Sequence, residues 1–132
     1  MKPGSTHAVV VGYDGFEAAR RALARAAAAA GAGGRVVVVT ARPPADGGDA
    51  TARETAPLPD EAARLLREQG VRATTQTLEG DPAEALIETA REAGAGLIVV
   101  GARGGSYLER VLRGSVAERL VARAPCDVLV VR

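Results

Sequence analysis

Continuous β-branched runs alternate along the chain with segments of helical period, the pattern of a parallel sheet covered by helices on both faces. Five strands are predicted: Ala8 to Val11 extending to Tyr13, Arg35 to Thr40, Val71 to Leu78, Leu97 to Gly101, and Val128 to Val131. Four helices fall between them. The first, Phe16 to Ala30, sets Phe16, Ala19, Leu23, Ala26 and Ala30 on one face, leaves Arg20, Arg21 and Arg25 largely outside it, and stops at Gly31 and Gly33-Gly34. The second, Pro59 to Gln69, buries Ala62, Leu65 and Leu66 and ends at Gly70. The third opens on Asp81-Pro82-Ala83-Glu84, where Asp81 suits the cap, Pro82 the first turn and Glu84 a capping box. The fourth, Ser115 to Ala124, turns Val116, Leu120 and Ala124 inward and stops before Pro125.

The third strand differs from the rest. Its alternation of Val71, Ala73, Thr75 and Thr77 with Arg72, Thr74, Gln76 and Leu78 fits a sheet edge, whereas the first, second and fourth runs read as buried on both faces. A doubly wound sheet in the order 3-2-1-4-5 satisfies this and opens a crevice beyond the carboxyl ends of strands one and four, where ligands bind in such folds. Ala41 to Pro57 fits no element, since it holds Pro43, Pro44, Pro57 and two adjacent glycines. It reads as a flexible surface loop over about 41–58, with a lid over the crevice as the alternative.

Length then bounds the organisation: 132 residues make a single domain, 1–132, with one core to supply everything. Alanine contributes much of the 47% hydrophobic content. Phe16, Tyr13 and Tyr107 are the aromatic residues, too few for a base-stacking platform or a flavin site. A net charge of +1 offers no general attraction to nucleic acid or anionic lipid. Lys2 is the sole lysine, so the body of the chain has no P-loop lysine. Arginine accumulates from Gly101 onward, with Arg103, Arg110, Arg113, Arg119, Arg123 and Arg132 against Glu109, Glu118 and Asp127, which makes the last quarter the place for an anion. Cys126 and His7, each alone, exclude an intrachain disulfide and a cysteine or histidine metal cluster. No apolar run approaches the roughly 20 residues that span a bilayer, and no secretory leader is recognised, so a reduced, cytoplasmic protein without a membrane is expected.

The residues that could carry chemistry gather after the fourth strand. Gly101, Gly104 and Gly114 allow backbone N–H groups to approach an anion closely, and Gly114-Ser115 stands at a helix start, whose dipole favours negative charge. Each part also has a purely structural reading: Ser115 to Glu118 is a capping box, and Gly101 can simply end a strand. Asp14-Gly15-Phe16-Glu17 is likewise a capping box, so Asp14 either caps the first helix, touches a ligand, or does both. Cys126, between Pro125 and a buried strand, reads as a packed structural thiol, and His7 as solvated.

The spacing Gly101, two residues, Gly104, nine residues, Gly114, Ser115 resembles the Gly-x2-Gly-x9-Gly-Ser/Thr signature of the ATP-binding branch of the universal stress protein family. Val9 to Gly15 is similar to that family's first strand with its terminal aspartate, and Ala124 to Val131 to its closing strand, so the resemblance covers about Ala8 to Arg132. It implies a Rossmann-like α/β three-layer sandwich of the adenine nucleotide α-hydrolase type, with ATP, with or without Mg, between the first and fourth strands. It further implies that Gly101, Gly104, Gly114 and Ser115 hold ribose and phosphates, with backbone from Val116. Asp14 would reach the sugar or an associated metal, Gly12 the nucleoside through its backbone, and Ala41 the adenine edge. Arg103 suits the phosphate charge; the direction of Arg110 and Arg113 is open. The chain departs from the family at Phe16, where Ser or Thr is usual, which puts metal use in doubt and leaves the ring either under the helix or across the pocket mouth.

The expected partners are an adenine nucleotide and a second copy of the chain. Val128 to Val131 as an apolar edge strand would be a hazard unless paired across a two-fold axis, in agreement with the homodimers of the family. The expected function is nucleotide-dependent regulation in a stress response. A slow ATP hydrolase using the same site is the alternative; with no catalytic residue identified beyond Asp14, Glu17 and arginines, at most weak ATPase activity is expected. A phosphorylated receiver domain has Glu79-Gly80-Asp81 but lacks its lysine, and an FMN binder lacks aromatics.

Overall fold

The computed structural model describes residues 8–42, 57–102 and 120–132. Their elements run β1 (Ala8–Gly12), α1 (Glu17–Ala30), β2 (Arg35–Arg42), α2 (Leu58–Glu68), β3 (Arg72–Glu79), α3 (Pro82–Ala93), β4 (Leu97–Gly101) and β5 (Asp127–Val131), with residues 120–123 also helical. The strands form one parallel sheet in the order β3-β2-β1-β4-β5. Every residue of β1 is buried, as its continuous apolar run requires of a central strand.

Successive side chains of β1 and β2 point to opposite faces and so feed two cores. Val9, Val11, Val36 and Val38 pack under α1 and α2, and Val10, Val37 and Val39 under α3 with Leu120. Six of the seven buried residues of α1 are alanines, so its backbone lies close to the sheet. Asp81 caps α3 as expected, its carboxylate accepting the Ala83 N–H at 3.0 Å, and Glu84 also accepts from Arg123 across to the last helical turn. Leu120 is buried and Ala124 half-buried, as the inward stripe of the fourth helix requires; Val116 and the start of that helix lie outside the described residues.

Four expectations need correction. Phe16 does not face the core but is the N-cap of α1, 45% exposed, because its extended backbone (φ −84°, ψ 169°) lies outside the helical phase that places Ala19 and Leu23 inward. The capping box at Asp14 is therefore displaced: the helix begins two residues too late for Asp14 to be its N-cap. Leu65 is only partly buried, while Ala62 and Leu66 carry that face of α2. Strand limits shift by one or two residues; β2 extends through Ala41 and Arg42, and α2 begins at Leu58, so of the long connection only 43–56 lies outside the described residues.

The two sheet edges differ in kind. β3 exposes Thr74, Thr75, Gln76 and Thr77, whereas β5 is apolar and leaves Val130 52% exposed.

Candidate functional site

The register brings the ends of three strands together. Val11 pairs with Val99 of β4, Gly12 with Val39 of β2, and the Tyr13 N–H donates to the Val39 carbonyl at 3.0 Å. Ala41 and Gly101 each lie two residues beyond those partners, so Gly12, Asp14, Ala41 and Gly101 all stand at the carboxyl end of the central strands, where β1 and β4 diverge into opposite connections. Gly12 is buried and the other three are half-buried. Arg103, Gly104, Gly114, Ser115 and Val116 lie outside the described residues, as do Arg110, Arg113 and His7.

The bend after β1 is tied down by polar contacts. Asp14 Oδ1 accepts the Phe16 N–H at 3.0 Å, a local turn that shapes the entry to α1. Gly15 adopts φ +86°, a conformation that favours glycine, and a Cβ there would stand 2.8 Å from Leu58 Cδ2, so a side chain would strain the backbone and push the tip of Leu58 aside. Tyr13 is buried to 1% exposure, and its hydroxyl donates to Glu61 Oε1 on α2; Glu61 Oε2 in turn lies 3.7 Å from Arg20 Nη2 on α1. Burial, then the hydrogen bond to Glu61, pushes the Tyr13 phenol up to about 12, against the lowering effect of Arg20. The pattern of the sequence marks Tyr13 only as an aromatic residue and Arg20 as an outward arginine. The available signal was the phenol itself: a tyrosine ending a buried run requires a partner for its hydroxyl, although nothing local names Glu61, 48 residues away.

The bend after β4 is made by close packing. A Cβ on Gly101 would stand 2.8 Å from the Ala18 carbonyl carbon and 2.8 Å from the Ala19 nitrogen, so the alanine-faced α1 occupies the space that a side chain would need. The Ala102 N–H then donates to the Val131 carbonyl at 2.6 Å, carrying the β4–β5 pairing one step past the strand. Gly101 thus has a packing role independent of any ligand.

Beside Ala41, the buried Thr40 hydroxyl lies 2.8 Å from that of Thr77, joining β2 to β3. Among the described residues, no group of three or more His, Cys, Asp or Glu could hold a metal ion, and no helix is long and apolar enough to cross a membrane. Cys126 is half-buried, and burial followed by the nearby Asp127 charge raises its thiol, which disfavours the nucleophilic thiolate. An open groove of about 210 Å³ lies toward the amino end of β2, lined by Arg35, Gln76, Thr89 and Glu92, away from the converging strand ends.

The Universal stress protein family profile matches residues 6–132. The chain belongs to the universal stress protein family. A universal stress protein of Thermus aquaticus is 36% identical over 133 residues, spanning 94% of this chain and 97% of the relative. Against three other curated relatives the chain spans 41 to 49% of their length. A universal stress protein solved in complex with cAMP superposes with a TM-score of 0.72 at 30% identity, covering 96% of this chain and 97% of that one. The universal stress protein of Archaeoglobus fulgidus in complex with dAMP gives 0.77 at 25% identity, covering 96% and 98%. The Rossmann-like reading of the fold agrees with these neighbours.

Proposed function

We propose that this universal stress protein binds an adenine nucleotide, ATP by preference, at the carboxyl ends of β1, β2 and β4, and acts in the cytoplasm as a nucleotide-dependent regulator. The observation that carries the reading is the convergence of Gly12, Asp14, Ala41 and Gly101 at the point where β1 and β4 diverge. It is supported by the two related structures that hold cAMP and dAMP. In this reading Gly12 and Ala41 take the nucleoside through backbone and edge contacts. Gly101, Gly104, Gly114 and Ser115, with Val116 backbone, hold ribose and phosphates, and Arg103 opposes the phosphate charge. Asp14 faces the sugar or an accompanying Mg, and would do so with a carboxylate already accepting the Phe16 N–H. The second copy joins through β5, whose exposed Val130 on an apolar edge strand calls for cover.

Binding has an energetic consequence that can be read directly. At about 100 times its dissociation constant a ligand stabilises the binding state by about 2.7 kcal/mol, which raises Tm by roughly 8 °C in a domain of this size. Mass spectrometry of the nucleotide released from gently purified, denatured protein is expected to show ATP, and Gly114→Glu is expected to lose it while keeping the fold. Calorimetry silent with millimolar ATP, AMP and cAMP would overturn the reading. Sedimentation at micromolar concentration is expected to show a dimer that Val130→Arg converts to monomer; a monomeric parent rejects the β5 interface alone.

A further inference from the structure

We propose that Tyr13 and Glu61, steadied by Arg20, are positioning residues for the nucleotide site, holding the bend between β1 and α1 against the first turns of α2. The inference rests on the function proposed above and adds to it residues that make no contact with the ligand. Tyr13 lies between Gly12 and Asp14, the two members of the site on this bend, and it is the one with a fully buried side chain. Its backbone is pinned on one side by the bond to the Val39 carbonyl, and its phenol crosses to Glu61 on the other.

Glu61 is placed to receive it. It sits in the first turn of α2, a helix whose N-cap, Pro57, has no side-chain cap of its own. Its second oxygen lies 3.7 Å from Arg20, so α1, α2 and the bend share one carboxylate. The same two segments meet again two residues on, where the tip of Leu58 packs into the space that Gly15 leaves open. Two adjacent contacts of different kinds, one polar and one steric, therefore set the bend against α2. Loss of the polar one frees the bend to fluctuate, so that Asp14 releases the Phe16 N–H it holds and moves away from the β4 end.

The test combines ATP affinity by calorimetry with amide exchange at Phe16, in Tyr13→Phe, Glu61→Ala, Glu61→Gln and the Tyr13→Phe/Glu61→Ala double variant. Either of the first two is expected to weaken ATP binding about tenfold and to speed Phe16 exchange, and the double variant no more than either alone, as for two ends of one contact. Glu61→Gln, which keeps an acceptor for the phenol, is expected to recover most of what Glu61→Ala loses. A merely structural role would lower Tm and leave the affinity of the folded protein and the exchange of Phe16 unchanged, and that result overturns the proposal. Should the parent bind no adenine nucleotide, the function reading fails by itself. Phe16 exchange then decides alone, unchanged exchange in Tyr13→Phe and Glu61→Ala rejecting the positioning role. Glu61, partly exposed on α2, keeps the test open if Tyr13→Phe folds poorly.

Discussion

The bends that follow the two central strands reach the same crevice by opposite means. After β1 the chain is held by added groups: a phenol on a carboxylate, an aspartate on a backbone N–H, and a glycine in a left-handed conformation. After β4 it is held by an omission, since Gly101 lets the α1 backbone come within a distance that any Cβ would violate. A polar bend can be loosened by pH or by a single atom's removal; a packed one yields only to bulk. That contrast predicts where each substitution should act.

The largest effect is expected at Gly101. In Gly101→Ala the new Cβ meets backbone atoms of Ala18 and Ala19, which cannot rotate aside as a side chain would, so α1 or β4 must shift. Overpacking of this kind costs about 3 kcal/mol, or roughly 10 °C in Tm. Thermal unfolding by circular dichroism checks it, and a loss under about 0.5 kcal/mol would show that the bend after β4 is not set by packing.

Next comes the alkaline limb of stability, which only the polar bend should show. The Tyr13 phenol is raised from its ordinary value of 10 to about 12 in the fold. Its contribution is therefore complete below pH 10, where both states hold the proton, and is lost between pH 10 and 12 as the unfolded chain alone releases it. The Glu61 carboxylate opposes ionisation and the Arg20 guanidinium favours it, with burial the largest influence. The loss amounts to about 2 to 3 kcal/mol over that range. Urea unfolding of parent and Tyr13→Phe at several pH values should give curves that converge as pH rises toward 12. Parallel curves would mean that the phenol is not buried against a carboxylate.

Gly15→Ala should cost less than the change at Gly101 despite the same 2.8 Å approach, because the obstructing atom is the tip of Leu58 and can swing away. What remains is the penalty of φ +86° for a residue with a Cβ, about 1 to 2 kcal/mol. Gly15→Asn, whose side chain tolerates the left-handed region, is expected to retain more of the parent's Tm than Gly15→Ala.

The legibility of these features in the sequence follows their physics. Buried strands announce themselves, so β1 and β4 and the sheet order could be read from runs such as Val9 to Val11 and Leu97 to Val100. The Asp81 cap was legible because the cap and the N–H it accepts are two residues apart. The apparently identical signal at Asp14 misled, because choosing between a cap and a local turn depends on where α1 begins, and the helix starts after Phe16 rather than after Asp14. Gly101 was legible as a glycine but not for its reason: a glycine that admits a phosphate and one that admits a helix look alike without the helix. The Tyr13 phenol signals only that it needs a partner, and Glu61 as that partner was opaque, since their contact spans 48 residues and no periodicity links them.

The smallest effect, and the one that separates turn-making from ligand contact most cleanly, is expected at Asp14. Asp14→Ala removes the acceptor of the Phe16 N–H at a half-exposed site where water can replace it, so the loss should be near 1 kcal/mol or below. Asp14→Asn keeps a carbonyl oxygen in the same place and should restore the turn, and with it Tm. Nucleotide affinity need not follow. If the carboxylate serves only the bend, Asn restores ATP binding together with stability; if its charge faces the sugar or a Mg ion, Asn restores stability while affinity stays low. Tm and calorimetry on the same two variants thus assign Asp14 to the polar bend alone or to the bend and the ligand together, and equal Tm values for Ala, Asn and parent would remove it from the bend.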